Sequence, residues 1–296
     1  MRLSSEDAAW LKLSLIPDVK TEDVFRMAEL GGPEAIFDAS YGTLVKMTGE
    51  RTARAIRSEN VAEAYERATA WLESTEGAFF VKLTDVDYPP LMIAAGVAPL
   101  VIYGRGNRSL LSADRPHLTI AGSGHPDKEG EFNAREFGAS FGRADLAFSV
   151  GLYPGVETLF LEAAVREGRA RAIVWSSTGP DRIWPRENAD LLRATLEAGG
   201  LLLTPYAPGT GITDEAKVFQ PTCRLAAASG LLIIRAARHS ECLRLARLAG
   251  DWGRELFAVP GSIHDPQSKG CHLLLKQGAR LTESIEDVKE GFFGRH

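Results

Sequence analysis

From residue 79 onward the chain alternates brief apolar runs with longer stretches of helical periodicity, and few architectures accommodate that rhythm. The runs are residues 79–83 (FFVKL), 100–103, 118–121, 146–150, 172–175, 200–204, 231–235 and 255–259. Several are apolar at every position, as strands buried on both faces of a parallel sheet must be. Helical patterns fall between them at about 129–143, 157–168, 186–198, 240–252 and 269–276. Strand and helix in alternation predict a doubly wound α/β domain with a mostly parallel sheet over residues 76–296.

Residues 1–75 have a different texture. Apolar clusters at Trp10, Leu11 and Leu13, at Val24, Phe25 and Ala28, at Ala35 to Phe37, and at Leu44, Val45 and Met47 are cut by Pro17, Gly31-Gly32-Pro33, Gly42 and Gly49. That pattern predicts short helices gathered into a small all-helical domain. At 296 residues the chain has room for one large and one small domain.

The start of the chain, MRLSSEDAAWLKL, meets acids before any apolar stretch, and no window approaches about 18 uninterrupted apolar residues, so a cytoplasmic protein without a membrane segment is expected. Cys223, Cys242 and Cys271 are widely spaced and include no CxxC, which supports neither a disulfide framework nor a cysteine metal site. The net charge of −5 argues against coating nucleic acid through overall attraction. Any such binding must be local.

In a doubly wound sheet, ligands sit beyond the carboxyl ends of the strands. There the sequence places Gly122-Ser123-Gly124-His125-Pro126, Gly151-Leu152-Tyr153-Pro154-Gly155, Ser176-Ser177-Thr178-Gly179-Pro180 and Pro260-Gly261-Ser262. Glycine turns at helix N-termini can aim amides at an anion, so a phosphate-bearing ligand is expected. The first turn lacks the third glycine of GxGxxG, and no P-loop, GxSxG or HExxH is present, so no nucleotide cofactor, metal or enzymatic activity is expected. Glu157 opens a helix as an acid at the cleft or as a first-turn acid favoured by the dipole. Arg244 and Arg247, three apart on a helix, are suited to phosphate or to a solvated face, and Trp175, Trp184 and Tyr206 to base stacking or packing.

A family resemblance emerges from collinear motifs. Asp87-Tyr88-Pro89-Pro90-Leu91, Ala98-Pro99-Leu100 and Tyr103-Gly104-Arg105-Gly106-Asn107 resemble YPxxL…PxxLYxxGN. Ile120-Ala121-Gly122-Ser123 resembles IVGSR, Ser149 to Glu157 resembles SGLARGID, and Trp184 to Asn188 resembles YPxEN. Gly200 to Thr210 resembles GLLLSEYPPGT, and Gly253 to Ser262, Lys269-Gly270-Cys271 and Gly278 to Leu281 resemble GREVFAVPGS…GxN…DGAxL. On these residues the chain is identified as a member of the DprA/Smf DNA-processing family. The resemblance implies a Rossmann-like fold that binds single-stranded DNA and hands it to the RecA recombinase in natural transformation or recombination, without bond-making chemistry and as a homodimer. Residues 11–17 and 32–37 resemble the family's helical N-terminal domain, of sterile-alpha or helix-hairpin-helix type. The chain ends soon after Ser284 to Asp287, so the winged helix of many members is not expected.

Family cations are altered here. Gly124 and Pro154 stand where the family has arginines, Thr222-Cys223-Arg224 replaces Arg-Asn-Arg, and His239-Ser240-Glu241-Cys242 replaces SGSL. The sequence thus leaves Lys217, Arg224, Arg244 and Arg247 to meet phosphates, with the turns at Gly122, Ser123, Gly124, Gly151, Gly155 and Gly261 around one of them. The alternative is a nucleotide-ligand or signalling module, or a partner of a DprA-like paralogue, that has lost DNA binding.

Overall fold

The computed structural model describes residues 3–58, 60–112, 116–144, 146–168 and 171–294. Six helices come first: α1 (Ser5–Ser14), α2 (Thr21–Arg26), α3 (Pro33–Asp38), α4 (Tyr41–Thr48), α5 (Glu50–Ser58) and α6 (Ala62–Ser74). Local chemistry sets several of their starts. Ser4 caps α1 by accepting the Asp7 amide at 3.0 Å, and Pro33 at the first turn of α3 supplies a preset φ.

The rest alternates as β1 (Ala78–Lys82), α7 (Pro90–Ala94), β2 (Val101–Gly106), β3 (His117–Gly122), α8 (Lys128–Arg143), β4 (Ala147–Val150), α9 (Val156–Arg166), β5 (Ala172–Trp175), α10 (Ala189–Glu197), β6 (Leu201–Thr204), α11 (Asp214–Ala227), β7 (Gly230–Ile234), α12 (Cys242–Asp251), β8 (Glu255–Ala258), α13 (Lys269–Lys276), β9 (Arg280–Leu281) and α14 (Ile285–Phe293). Nine strands form one sheet in the order β1-β2-β6-β5-β4-β3-β7-β8-β9. The pairs from β6 through to β9 are parallel, and β2 runs antiparallel to both β1 and β6. The chain leaves β3 for β4 on one side and later returns to β7 on the other. The crevice of a doubly wound sheet opens at that reversal.

Alternate residues of each strand feed opposite faces. One face sends Ile120, Phe148, Val150, Val174, Leu202 and Ile234 into a core with α8, α9, α10 and α14. Phe141, Phe148 and Phe160 meet edge-to-face there, with centroids 5.0 to 6.0 Å apart. Each such buried ring contributes roughly 1.5–3 kcal/mol through burial. The opposite face is covered by α12 and α13 around Ile233, Leu245, Ala246 and Leu274.

That same face, toward β1 and β2, is covered by the N-terminal helices. Trp10, Leu11, Leu13, Met27, Leu44 and Trp71 share one continuous core with Val101, Tyr103, Ile173, Trp175 and Leu203. Lys82 on β1 ties in α1 through Asp7 at 2.7 Å and Glu6 at 3.2 Å. The helical segment is bolted to the sheet by apolar packing and by charge.

Candidate nucleic-acid interface

Parallel strands place the turns after β3, β4, β5 and β8 on one edge, as the sequence implies. Two of the expected anion cradles already contain carboxylates of the chain itself. Asp127 caps α8, accepting the Gly130 amide at 2.9 Å, and so satisfies the positive end of the helix where a phosphate would sit. Its carboxylate also holds Arg235 in a fork, Nε to Oδ1 at 2.9 Å and Nη2 to Oδ2. That guanidinium keeps the Asp127 carboxyl below the usual carboxylate range.

Arg235 follows β7 and has a φ of +64°, a conformation that residues with a Cβ seldom adopt. Its side chain is buried, donates to Ser268 Oγ at 2.7 Å and faces Glu129 at 3.3 Å and Asp265. The carboxylate oxygens of Asp127, Glu129 and Asp265 lie within 4.8 Å of one another, and the cation in their midst offsets the repulsion.

The second cradle follows β4. The Gly151 amide donates to Glu157 Oε2 at 2.6 Å, and Arg224 clasps the same carboxylate with both terminal nitrogens, Nη2 to Oε1 at 2.9 Å. Arg224 is fully buried and Glu157 nearly so. The expectation that Arg224 meets a phosphate is therefore corrected: its fork is closed on an internal acid, the strongest geometry available to it. Glu157 takes the place that an anion would fill.

Other turn amides are also engaged within the chain. Ser123 donates to the Arg235 carbonyl at 2.8 Å, and Val156 donates to the Ser123 carbonyl at 3.0 Å. Gly155, at φ +92°, lies so close to the β3 turn that a Cβ would stand 2.6 Å from the Gly124 carbonyl carbon. A Cβ at Gly122 would meet Val156 at 2.7 Å, one at Gly151 would meet Tyr153 at 2.8 Å, and one at Gly261 would meet Arg235 Nη1 at 2.8 Å. These glycines bring backbone layers together, which is a reason other than ligand approach for their being glycine. Gly124 alone of the set is exposed.

The accessible chemistry lies on α11. Lys217 is exposed, with Val218 and Phe219 beside it at 56% and 40% exposure. Pro221 has no N–H, so the Lys217 carbonyl lacks its helical donor. The Tyr153 hydroxyl fills that role at 3.2 Å and also meets Ser177 Oγ at 2.9 Å. Tyr153 stacks edge-on to Trp184 at 5.6 Å, and the Lys217 ammonium lies 5.6 Å over the Trp184 ring and 2.9 Å from Asp214. Asp214 holds the Lys217 ammonium above its ordinary pKa, so it is charged at any working pH.

Arg244 on α12 leans on the same helix, donating to Thr222 Oγ1 at 3.0 Å and to the Val218 carbonyl at 3.3 Å, with Glu241 at 3.3 Å. Arg247, one turn on, is exposed and has no ion-pair partner among the described residues. Of the aromatics expected to stack, Trp175 is buried at 1% exposure, while Trp184 and Tyr206 are half-buried at the edge. Phe219 was not legible as a site residue, because Pro221 masks the helix that presents it.

Known proteins of one family are similar to this chain in sequence and in fold. The family described as DNA recombination-mediator protein A matches residues 79–293. Protein Smf of Escherichia coli is 28% identical over 291 residues, which cover 97% of this chain and 75% of that protein. DNA processing protein DprA of Streptococcus pneumoniae is 30% identical over 200 residues, covering 66% and 67% of the two chains. The X-ray structure of DprA from S. pneumoniae superposes with a TM-score of 0.79 at 23% identity over all of both chains. A structure of DNA processing protein A from Helicobacter pylori, described by its single-stranded DNA binding mode, superposes at 0.61 with 20% identity over 71% of this chain and 93% of that one. Among the described residues no helix is long and apolar enough to cross a membrane. The chain belongs to the DprA/Smf family of DNA-processing, recombination-mediator proteins.

Proposed function

We propose that this protein binds single-stranded DNA along the outer surface of α11, beside the carboxyl edge of the sheet, and passes it to a RecA-type recombinase. One observation carries this reading: Lys217, Val218 and Phe219 form an exposed cationic and apolar ledge next to Trp184. Unstacked bases lie on aromatic faces while cations follow the backbone, so such a ledge suits a single strand better than a duplex. Lys217, Arg244 and Arg247 then meet phosphates, and Phe219 carries a base. The H. pylori relative, described by its single-stranded DNA binding, supports the same ligand.

Fluorescence anisotropy with a labelled oligonucleotide across a salt series tests it, with duplex of the same sequence as control. Three phosphate contacts on a single strand give a log–log salt slope of about −2, and removing one cation lowers it by about 0.7. Equal affinity for duplex, or no binding at low salt, would overturn the proposal. The rival reading as a nucleotide-ligand module is less well supported, because Glu157 and Asp127 already fill the two cradles. A nucleotide panel is therefore expected to give no thermal shift. Homodimerisation and the cytoplasm complete the reading, and light scattering coupled to gel filtration checks the former.

A further inference from the structure

Helix α5 divides its residues sharply. Thr52, Ala53, Ala55 and Ile56 are buried, while Glu50, Arg51, Arg54, Arg57 and Ser58 are exposed. At 3.6 residues per turn the exposed set spans an arc of roughly 120°, so three guanidinium groups share one solvent face. That face is an exception in its surroundings. Residues 41–58 hold four Lys or Arg against one acid, whereas residues 1–40 hold four against eight and residues 59–75 one against four.

Helix stability accounts for only part of this pattern. Glu50 suits the positive end of the helix and Arg57 the negative end. Arg57 also donates to the Phe37 carbonyl at 2.8 Å and to the Ala39 carbonyl, at the end of α3. Those partners are neutral, so they leave its charge in place. Arg51 stands in the first turn, where a cation is disfavoured, and Arg54 follows three residues on, where like charges repel. Arg51 faces Asp18 at 2.5 Å with 84% of its side chain exposed, and such a surface pair contributes little. Arg54 and Lys46 have no ion-pair partner among the described residues.

Arginines in a row that the helix itself does not need suit an extended polyanion. The exposed face carries no ring and no large apolar side chain, so an unstacked base has nothing to lie on. The phosphates of a duplex ask only for cations and hydrogen-bond donors. Arg51 and Arg54 present both at one depression of about 350 Å³, which Asp18 and Glu50 also line, so the contact is expected to be weak and salt-sensitive. We propose that the exposed face of α5 is a second nucleic-acid surface, which holds the sugar-phosphate backbone of duplex DNA through Arg51 and Arg54. Duplex DNA is the polyanion at hand for a member of a DNA-processing family, and the inference does not depend on the single-strand ledge at α11.

The test is anisotropy of the full chain with a labelled blunt duplex and with the single strand, each across a salt series. Arg51→Ala combined with Arg54→Ala, at exposed positions, is expected to weaken duplex binding and to lower its log–log salt slope by about 1.8, roughly 0.9 for each contact on B-DNA. Arg51→Lys combined with Arg54→Lys keeps the charge and is expected to keep the slope. Asp18→Asn removes the competing acid and is expected to tighten duplex binding, a gain that a merely structural role of Asp18 would not produce. A duplex slope that stays at the wild-type value in the double alanine variant would overturn the proposal, as would absence of duplex binding by the wild-type chain at low salt. A face that serves an acidic protein instead gives the first of those results. Duplex binding that responds to the variants as expected, in a chain without single-strand preference, would support the α5 face while overturning the ledge, so the two readings fail separately.

Discussion

Arg224 and Glu157 are close to a limiting case of burial, a fork-to-fork ion pair with almost no solvent on either partner. Such a pair adds little over an apolar substitute, yet removing one half leaves an uncompensated charge. Glu157→Gln is therefore expected to cost about 3–5 kcal/mol, read from the shift of the urea midpoint. By contrast, Phe219→Ala should leave that midpoint nearly unchanged, within about 0.5 kcal/mol, while lowering affinity for an oligonucleotide. Arg235 presents the converse situation, one cation among three acids. The Asp127 carboxyl is held below its ordinary value of 3.8, so its contribution to stability is complete above that value and lost as pH falls through the lower folded value. Arg235→Ala removes the cause, so its destabilisation is expected to be larger at pH 7 than at a pH well below 3.8, as denaturant midpoints at the two values would reveal. Lys217 and Arg244 were legible as surface cations. The inward turn of Arg224 was not, because spacing along a helix says nothing about which face a kink presents.

At the scale of elements, the alternating apolar runs fixed β1 to β8 within a residue, save that β2 runs three residues further, to Gly106, and they fixed the carboxyl-edge turns with them. The antiparallel sense of β2 and the two-residue β9 were not legible, since an apolar run carries no direction and a pair of residues carries no period. Helix α11 was hidden by Pro221, which in this fold is tolerated because Tyr153 supplies the donor that the Lys217 carbonyl lacks. Tyr153→Phe should accordingly lower stability by about 1 kcal/mol and loosen the first two turns of α11, seen as faster amide exchange there. Strand β3 begins with His117, whose Nε2 is buried without a partner. Burial lowers its pKa from 6.5 to about 4, so the unfolded chain takes up a proton that the folded one refuses. Stability is then complete above about pH 6.5 and declines as pH falls toward 4, by on the order of 3 kcal/mol in all. The melting temperature of wild-type protein should drop across that interval, and His117→Gln should flatten the drop.

For the whole molecule, a change of texture near residue 76 suggested two units, but the apolar surfaces of α1 and α6 close on β2, β5 and β6 in a common core. Calorimetry should thus record a single cooperative transition, and a fragment beginning at residue 76 should melt well below the full chain or fail to fold. The carboxylates lodged in the edge cradles bear on time as well as on affinity. On the proposed reading, the phosphates of a strand follow the rim and enter neither cradle, so no buried ion pair has to open before the backbone departs. A short residence time follows from that shallow berth, and it suits a carrier whose task ends when its cargo changes hands.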